Sequence, residues 1–406
     1  MGAGICLSFL ATRLYESGPS KGGDQMSRLC RITILVLGIL LLPGCYDQMN
    51  LEDASIVLML GLDVDENGKL MIYAQSPVFS KEAKEKSESV AVAADSVRLA
   101  RSKFDAVLTG ITTGGKLQTI LIGTRLLQQQ DWFKLLDMFY RMPKLTETPR
   151  VIIVDGAIKE IFAFKPADKP RLSLHMSKLI DTAHITNITV LTNMQELRRQ
   201  MKEKGMTPSL SLIRKEKDEI FVKGTALLNK NDALVARLSL QESTLLLLLQ
   251  DQIHGIPSLT MELKSTANSE DSDNENESTL KSAISFDIAT YKRNIHSSMS
   301  NGKFRFDIDV QLNIVITDVQ TENSNFNRDQ KSTVEKMISA YFTKQFNGLI
   351  QKCQSKSVDP FGFGLYARAY QYKHWKAVQN EWEEAFSNAD VRVNLKTSIK
   401  SFGVTE

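Results

Sequence analysis

The most regular hydrophobic pattern lies in the last third of the chain. Phe304, Phe306, Ile308, Val310, Leu312, Ile314 and Ile316 alternate with mostly polar residues. A period of two over that length predicts one long strand with a single buried face. Asn301-Gly302, just before it, is a hairpin signal, so a partner strand is expected around residues 284–291. The period then lengthens. Val334, Met337, Ile338, Tyr341, Phe342, Phe346, Leu349, Ile350 and Cys353 recur every three or four residues, a helical stripe about 30 Å long at ~1.5 Å per residue. Cys353 sits on that stripe and reads as a small buried hydrophobe, not a reactive thiol. A second helix is predicted over 372–386, with Trp375 and Trp382 seven apart on one face, and a final alternating strand over 391–399. Helices laid on one face of an antiparallel sheet make this region α+β.

Upstream the apolar runs are shorter. Residues 55–63 (SIVLMLGLD) and 69–75 (KLMIYAQ) have strand length and are joined by Asp65-Glu66-Asn67-Gly68, which predicts a hairpin. Asp63 and Asp65 read as turn residues, because the rest of a calcium loop's ligand pattern is missing. A small strand at 89–93 precedes a helix capped by Asp95 or Ser96 and carrying Val97, Leu99, Ala100, Phe104 and Leu108. Gly114-Gly115 breaks the chain before a buried strand at 117–123. A helix at 131–141, a strand at 151–154 and a short helix at 158–162 follow. None of these glycines opens a phosphate-cradling loop, since no GxGxxG or GxxxxGK[ST] follows a strand.

Beyond a proline-bearing connector at 165–171, the pattern predicts a helix at 172–184, a strand at 185–191 and a charged helix at 194–204 ending at Gly205. Strands at 209–213, 220–228 and 233–238 come next. Residues 240–250 (LQESTLLLLLQ) form a helix with Ser239 and Glu242 in capping-box positions. Its five consecutive leucines are apolar on every side, which marks a core or partner helix far below membrane-spanning length.

Composition changes the picture in three places. The chain of 406 residues carries a net charge of +3, with no basic stripe interleaved with aromatics, so no nucleic-acid partner is expected. Residues 264–279 are acidic and low in complexity, and are expected to be a disordered loop. Residues 26–45 (MSRLCRITILVLGILLLPGC) set Arg28 and Arg31 before an apolar run and close on a cysteine. That is the layout of an export signal, too short for a transmembrane helix. Its end, Leu42-Pro43-Gly44-Cys45, resembles a bacterial lipobox, so Cys45 is expected to be lipidated, the alternatives being a signal with an incidental cysteine or an uncleaved anchor. Met26 is then the expected start, leaving residues 1–25 as a start-site artefact or a disordered extension. With Cys6 and Cys30 removed and Cys45 acylated, Cys353 stands alone and no internal disulfide is expected.

Candidate chemistry is sparse. His175, His184, His254, His296 and His374 are scattered, with no HExxH, and Ser102, Ser243 and Ser387 lie in no GxSxG setting. No catalytic residue, metal or cofactor is expected. Phe361, Phe363 and Gly364, with Trp375 and Trp382, are candidate interface or ligand-contact residues, set against a plainer reading as a tight turn and core aromatics.

An ordered set of segments carries a resemblance. It comprises the lipobox followed by Tyr46-Asp47, the strand at 117–123, and Lys223-Gly224-Thr225-Ala226 ahead of Leu238-Ser239 and Glu242. Asp359-Pro360-Phe361-Gly362-Phe363-Gly364, with Trp375 and Trp382 downstream, completes it. The set resembles the Ger(x)C family, the lipoprotein C subunits of spore germinant receptors, from Cys45 to Glu406. The resemblance implies a three-domain α+β protein, lipid-anchored on the outer face of the spore inner membrane. It also implies action with membrane A and B subunits in nutrient-triggered germination, without chemistry of its own. The expected division is a signal at 26–45, an N-terminal α/β-type domain at 46–205, a middle segment at 206–263, the acidic loop at 264–279 and a C-terminal α+β domain at 280–406. Two other readings stand beside it. A solute-binding lipoprotein of a transporter requires two similar lobes around a cleft, and a lipid-anchored hydrolase requires a nucleophile or metal constellation.

Overall fold

Two sheets carry the fold, and a helix without a polar face packs between them. The computed structural model describes residues 30–35, 53–79, 82–108, 110–141, 148–165, 168–262, 283–320 and 331–402. Cys45 and the acidic segment at 264–279 lie outside the described residues. The chain divides into Met1–Asn50 and Leu51–Glu406. Of the first part only residues 30–35 are described; they are helical, with Ile32, Ile34 and Leu35 exposed. All elements below belong to Leu51–Glu406.

The first sheet has eight strands: β2 (Met59–Val64), β3 (Leu70–Pro77), β4 (Ser87–Ala93), β6 (Thr119–Gly123), β7 (Arg150–Val154), β8 (Ser209–Glu216), β9 (Glu219–Leu228) and β10 (Leu234–Leu238). Their spatial order is β10-β9-β8-β7-β6-β2-β3-β4. The central four, β2, β6, β7 and β8, run parallel, and antiparallel hairpins flank them. Every residue of β2 and β6 is buried, as a parallel centre covered on both faces requires. One face packs on α1 (Val97–Asp105), a 3-10 turn at Trp132–Leu136 leading into α2 (Asp137–Arg141), and α5 (Met194–Lys202). The other packs on α3 (Ile158–Phe162) and α4 (Leu172–Ile185). The sheet runs without a break across residue 205, so the strands expected in a separate middle segment extend the N-terminal sheet.

The second sheet is β11 (Ser258–Glu262), β12 (Ala283–Ser300), β13 (Lys303–Gln320) and β14 (Asp390–Phe402), in that order. Asn301 and Gly302, both at positive φ, close the β12–β13 hairpin, the backbone hand that suits the twist of paired strands. The long helix α7 (Lys331–Ser355) and the short helices α8 (Phe363–Tyr370), α9 (Tyr372–Val378) and α10 (Trp382–Ser387) separate β13 from β14. This crossover returns the chain to the beginning of β13, so β14 pairs parallel to it. The sheet expected to be antiparallel throughout is therefore mixed at its last pair.

Helix α6 (Leu240–Gln250) begins at a capping box in which Ser239 and Glu242 satisfy each other's backbone N–H. Ser243 to Leu249 are all buried, because α6 packs against β9 and β10 on one side and α7 on the other. Leu245 to Leu249 face protein all round, and no polar face is needed there.

Four local expectations are corrected. The run at 55–63 is two strands: β1 (Ala54–Ile56) pairs with β5 (Ile111–Thr113), an element the pattern missed, and the chain then crosses to β2. Val57 N–H donates to Thr113 and Leu58 N–H to Gln75, which makes the change of partner. Residues 185–191 form no strand. Helix α4 runs on to Ile185, Asn187 turns the chain at positive φ, and the Ser211 hydroxyl takes the Val190 carbonyl that a ladder would use. The helix at 131–141 opens as a 3-10 turn, where Trp132 donates its indole N–H to the Asp232 carbonyl. The helix at 372–386 breaks after Val378, since Glu381 is non-helical. Trp375 and Trp382 therefore sit on different helices and share no helical face.

Gly224 in β9 has φ +114, and a Cβ there would lie 2.1 Å from the Leu238 carbonyl oxygen. The contact lets β9 touch the start of α6. Gly224→Ala should therefore destabilise by at least ~2 kcal/mol through strain and clash, whereas Ser239→Ala, which removes only the cap, should cost about 1 kcal/mol. Urea unfolding with an unchanged slope checks both. Equal midpoints for the two variants would contradict the close approach.

Candidate functional site

The Asp359–Gly364 loop connects α7 to α8, and what it binds is the rest of the protein. Asp359 is completely buried. One carboxylate oxygen accepts the Gly362 N–H at 2.9 Å; the other accepts the Gly364 N–H and the Trp382 indole N–H, each at 2.9 Å. The side chain thus folds its own loop into a turn and ties it to α10. Its backbone carbonyl accepts the Thr207 N–H at 2.8 Å, and the Pro360 carbonyl accepts from Gln250 at the end of α6 at 2.7 Å. One turn therefore contacts the approach to β8, the leucine helix and the C-terminal layer.

The two phenylalanines close the turn from within. Phe363 stacks on Phe306 of β13 and on Phe361, both at 5.1 Å between ring centroids, and Phe386 lies 5.8 Å away. Trp382 packs edge-on to Phe304 at 5.2 Å. Phe361, Phe363 and Trp382 are buried, so they anchor the loop in the core and offer no surface to a ligand. Full burial of such a ring is worth ~1.5–3 kcal/mol over exposure. Trp375 is also buried, under Tyr372 and the Arg368 guanidinium, at the edge of this layer.

Gly364 meets Gly205. A Cβ on Gly364 would lie 2.5 Å from the Gly205 Cα, and a Cβ on Gly205 would lie 2.7 Å from the Gly364 carbonyl carbon. Two backbones touch here because neither residue has a side chain. Polar contacts rim the junction: Arg368 pairs with Glu203 at 2.9 Å, and Lys204 donates to Asn380 at 2.8 Å. Lys230, more than half buried, donates to the Gln200 and Glu203 carbonyls that end α5, and burial lowers its pKa. The sequence motif marked this loop as a candidate contact; Gly205, read only as a helix end, and Lys230 carried no signal of the junction the loop makes.

Other expected features resolve plainly. Asp65 accepts the Asn67 and Lys69 N–H groups, as a turn aspartate does. Asp63, expected in the turn, lies instead within β2, buried beneath Gly123, and accepts the Val64 and Ile158 N–H groups; burial raises its pKa. The histidines are not all scattered. The His184 and His254 rings lie 4.4 Å apart beside a cavity of about 320 Å³, and burial holds His184 below its ordinary pKa. Among the described residues no group of three or more His, Cys, Asp or Glu side chains is placed to hold a metal ion. Burial pushes the Cys353 thiol far up, so it stays protonated.

Desolvation raises the Asp359 carboxyl to about 6 against the pull of its N–H donors. In an unfolded chain it would titrate near ~3.9. Between those values the folded state holds a proton that the unfolded state has released, so this group's contribution to stability falls as pH rises from about 4 to 6. Asp359→Asn leaves at least one donor facing an NH₂ and should cost on the order of 2–3 kcal/mol. The stability gap to the parent should widen as pH is lowered from about 6 to 4, measured by urea unfolding at each pH. A gap that is constant across that range would contradict the titration.

Comparison with known proteins gives a consistent result. Two family models match in order: the spore germination protein N-terminal domain over residues 47–215, and the C-terminal domain described as spore germination B3/GerAC like over residues 223–403. Spore germination protein B3 of Bacillus subtilis (strain 168) is 22% identical over 388 residues, covering 93% of this chain and 99% of that protein. Spore germination protein A3 of the same organism is 23% identical over 396 residues, covering 92% and 98%. The crystal structure of the GerBC protein superposes with a TM-score of 0.53 at 18% identity, covering 84% of this chain and 96% of that one, which shows a shared fold.

Proposed function

The chain belongs to the B3/GerAC-like family of spore germination proteins, as a germinant-receptor C subunit, and from that premise we propose that it is a non-enzymatic, lipid-anchored receptor subunit. It is held by a lipid on Cys45 at the outer face of the spore inner membrane and works with membrane A and B subunits in nutrient-triggered germination. The observation that carries this reading is the ordered match of both family domains over residues 47–215 and 223–403. No described helix is long and apolar enough to cross a membrane. The proposed attachment is the diacylglycerol on Cys45, two acyl chains being what stable anchoring takes.

The Asp359 loop supports a mechanical role. It fastens the large sheet, α6 and the C-terminal layer to one another, which suits a rigid body that transmits contact between partners. Phe361, Phe363, Gly364 and Trp382 hold that joint. The aromatic surface for a partner is exposed Tyr370 together with exposed Tyr372, which stacks on Trp375, since tyrosine is enriched where proteins meet. A solute-binding lipoprotein would have two similar lobes; here an eight-stranded sheet and a four-stranded sheet are unlike each other.

Affinity purification of the tagged chain from detergent-solubilised spore membranes should recover two polytopic membrane proteins in fixed ratio. Cys45→Ala should release the chain from the membrane fraction. Recovery of an ATP-driven permease would favour the solute-binding reading, and unchanged membrane retention of Cys45→Ala would overturn the anchor.

A further inference from the structure

We propose that the cavity between α1, β5 and the start of β2 binds a small carboxylate with a short apolar body. The cavity measures about 80 Å³ and is walled by Leu60, Val97, Phe104, Leu117 and Phe139. Two polar side chains interrupt this lining, Arg101 and Thr112. Thr112 is buried, and its hydroxyl has no hydrogen-bond partner. That hydroxyl has almost no accessible surface, so Arg101 is the polar side chain that a ligand in the cavity can reach. Arg101 lies on α1 at the cavity's exposed side, and among the described residues no carboxylate pairs with it. Asp105, one turn further on, is committed to the Thr112 N–H at 2.8 Å; it fixes β5 against α1 and leaves the guanidinium open.

These features select a ligand class. A guanidinium without a counter-ion recognises a carboxylate through paired N–H donors. Apolar walls favour a hydrocarbon body, and an apolar cavity of ~150 Å³ accepts a benzene ring. About 80 Å³ therefore suits a body of roughly three to five carbons, well short of a lipid acyl chain. This assignment rests on the cavity alone and does not depend on the receptor reading.

The test uses isovalerate as the probe and 3-methylbutan-1-ol as its uncharged counterpart, titrated into the protein and followed by amide NMR shifts and thermal unfolding. Isovalerate should shift the Thr112, Gly114 and Leu117 amides and raise the melting temperature, with the alcohol binding at least about tenfold more weakly. Arg101→Gln, an exposed change that should leave the melting temperature of the free protein unaltered, should remove the preference for the acid and leave the alcohol unaffected. Equal binding of acid and alcohol, indifference to Arg101→Gln, or no shift with either probe would each overturn the proposal.

Discussion

A single buried carboxylate organises the junction between the parts of this protein. Asp359 is removed from water and keeps its place by accepting three N–H groups, two from its own turn and one from the Trp382 indole. Burial of an ion is expensive unless its acceptor capacity is used. The donors on this carboxylate come from α8's leading turn and from α10, so its satisfaction depends on both being in place. The proline, glycines and phenylalanines around it follow from that requirement. Gly362 takes the left-handed backbone the turn needs, and Phe361 and Phe363 seal the site with rings instead of solvent.

The same turn explains why two unlike sheets behave as parts of one body. The Gly205–Gly364 contact lets backbone approach backbone, and the Thr207 N–H then reaches the Asp359 carbonyl. The leucine helix fills the remaining space, and Gln250 at its end donates to the Pro360 carbonyl. Burial of that helix supplies non-directional stabilisation, while the hydrogen bonds and the glycine contact fix the register. The outer ion pairs, such as Arg368–Glu203, are partly exposed and contribute little by themselves.

Much of this was legible in the chain. The strand over Phe304 to Ile316, the Asn301-Gly302 turn, the long helical stripe and the Ser239–Glu242 capping box are local patterns, and each appears where its period or cap places it. What failed depended on distant partners. Residues 185–191 have strand composition, but the Ser211 and Thr189 hydroxyls bind this segment to its neighbours instead of a ladder. The aromatic spacing of Trp375 and Trp382 suggested one helix; the indole bond to Asp359 and the Lys204 contacts at Gln379 and Asn380 turn the chain between them. The junction was half visible. The Asp359–Gly364 motif stood out, but its partner Gly205 lies far away in sequence, and a lone glycine after a helix reads as an ordinary stop. The Arg101–Thr112 cavity left no pattern, because it arises from what surrounding elements fail to fill.

Native-state hydrogen exchange tests most directly whether the Asp359 turn makes the two sheets one cooperative unit. The most protected amides of β6 in the large sheet and of β13 in the small one should open with the same free energy in the parent protein. In Asp359→Ala they should separate into two values. Distinct opening energies in the parent, or a common value that survives the substitution, would contradict the account.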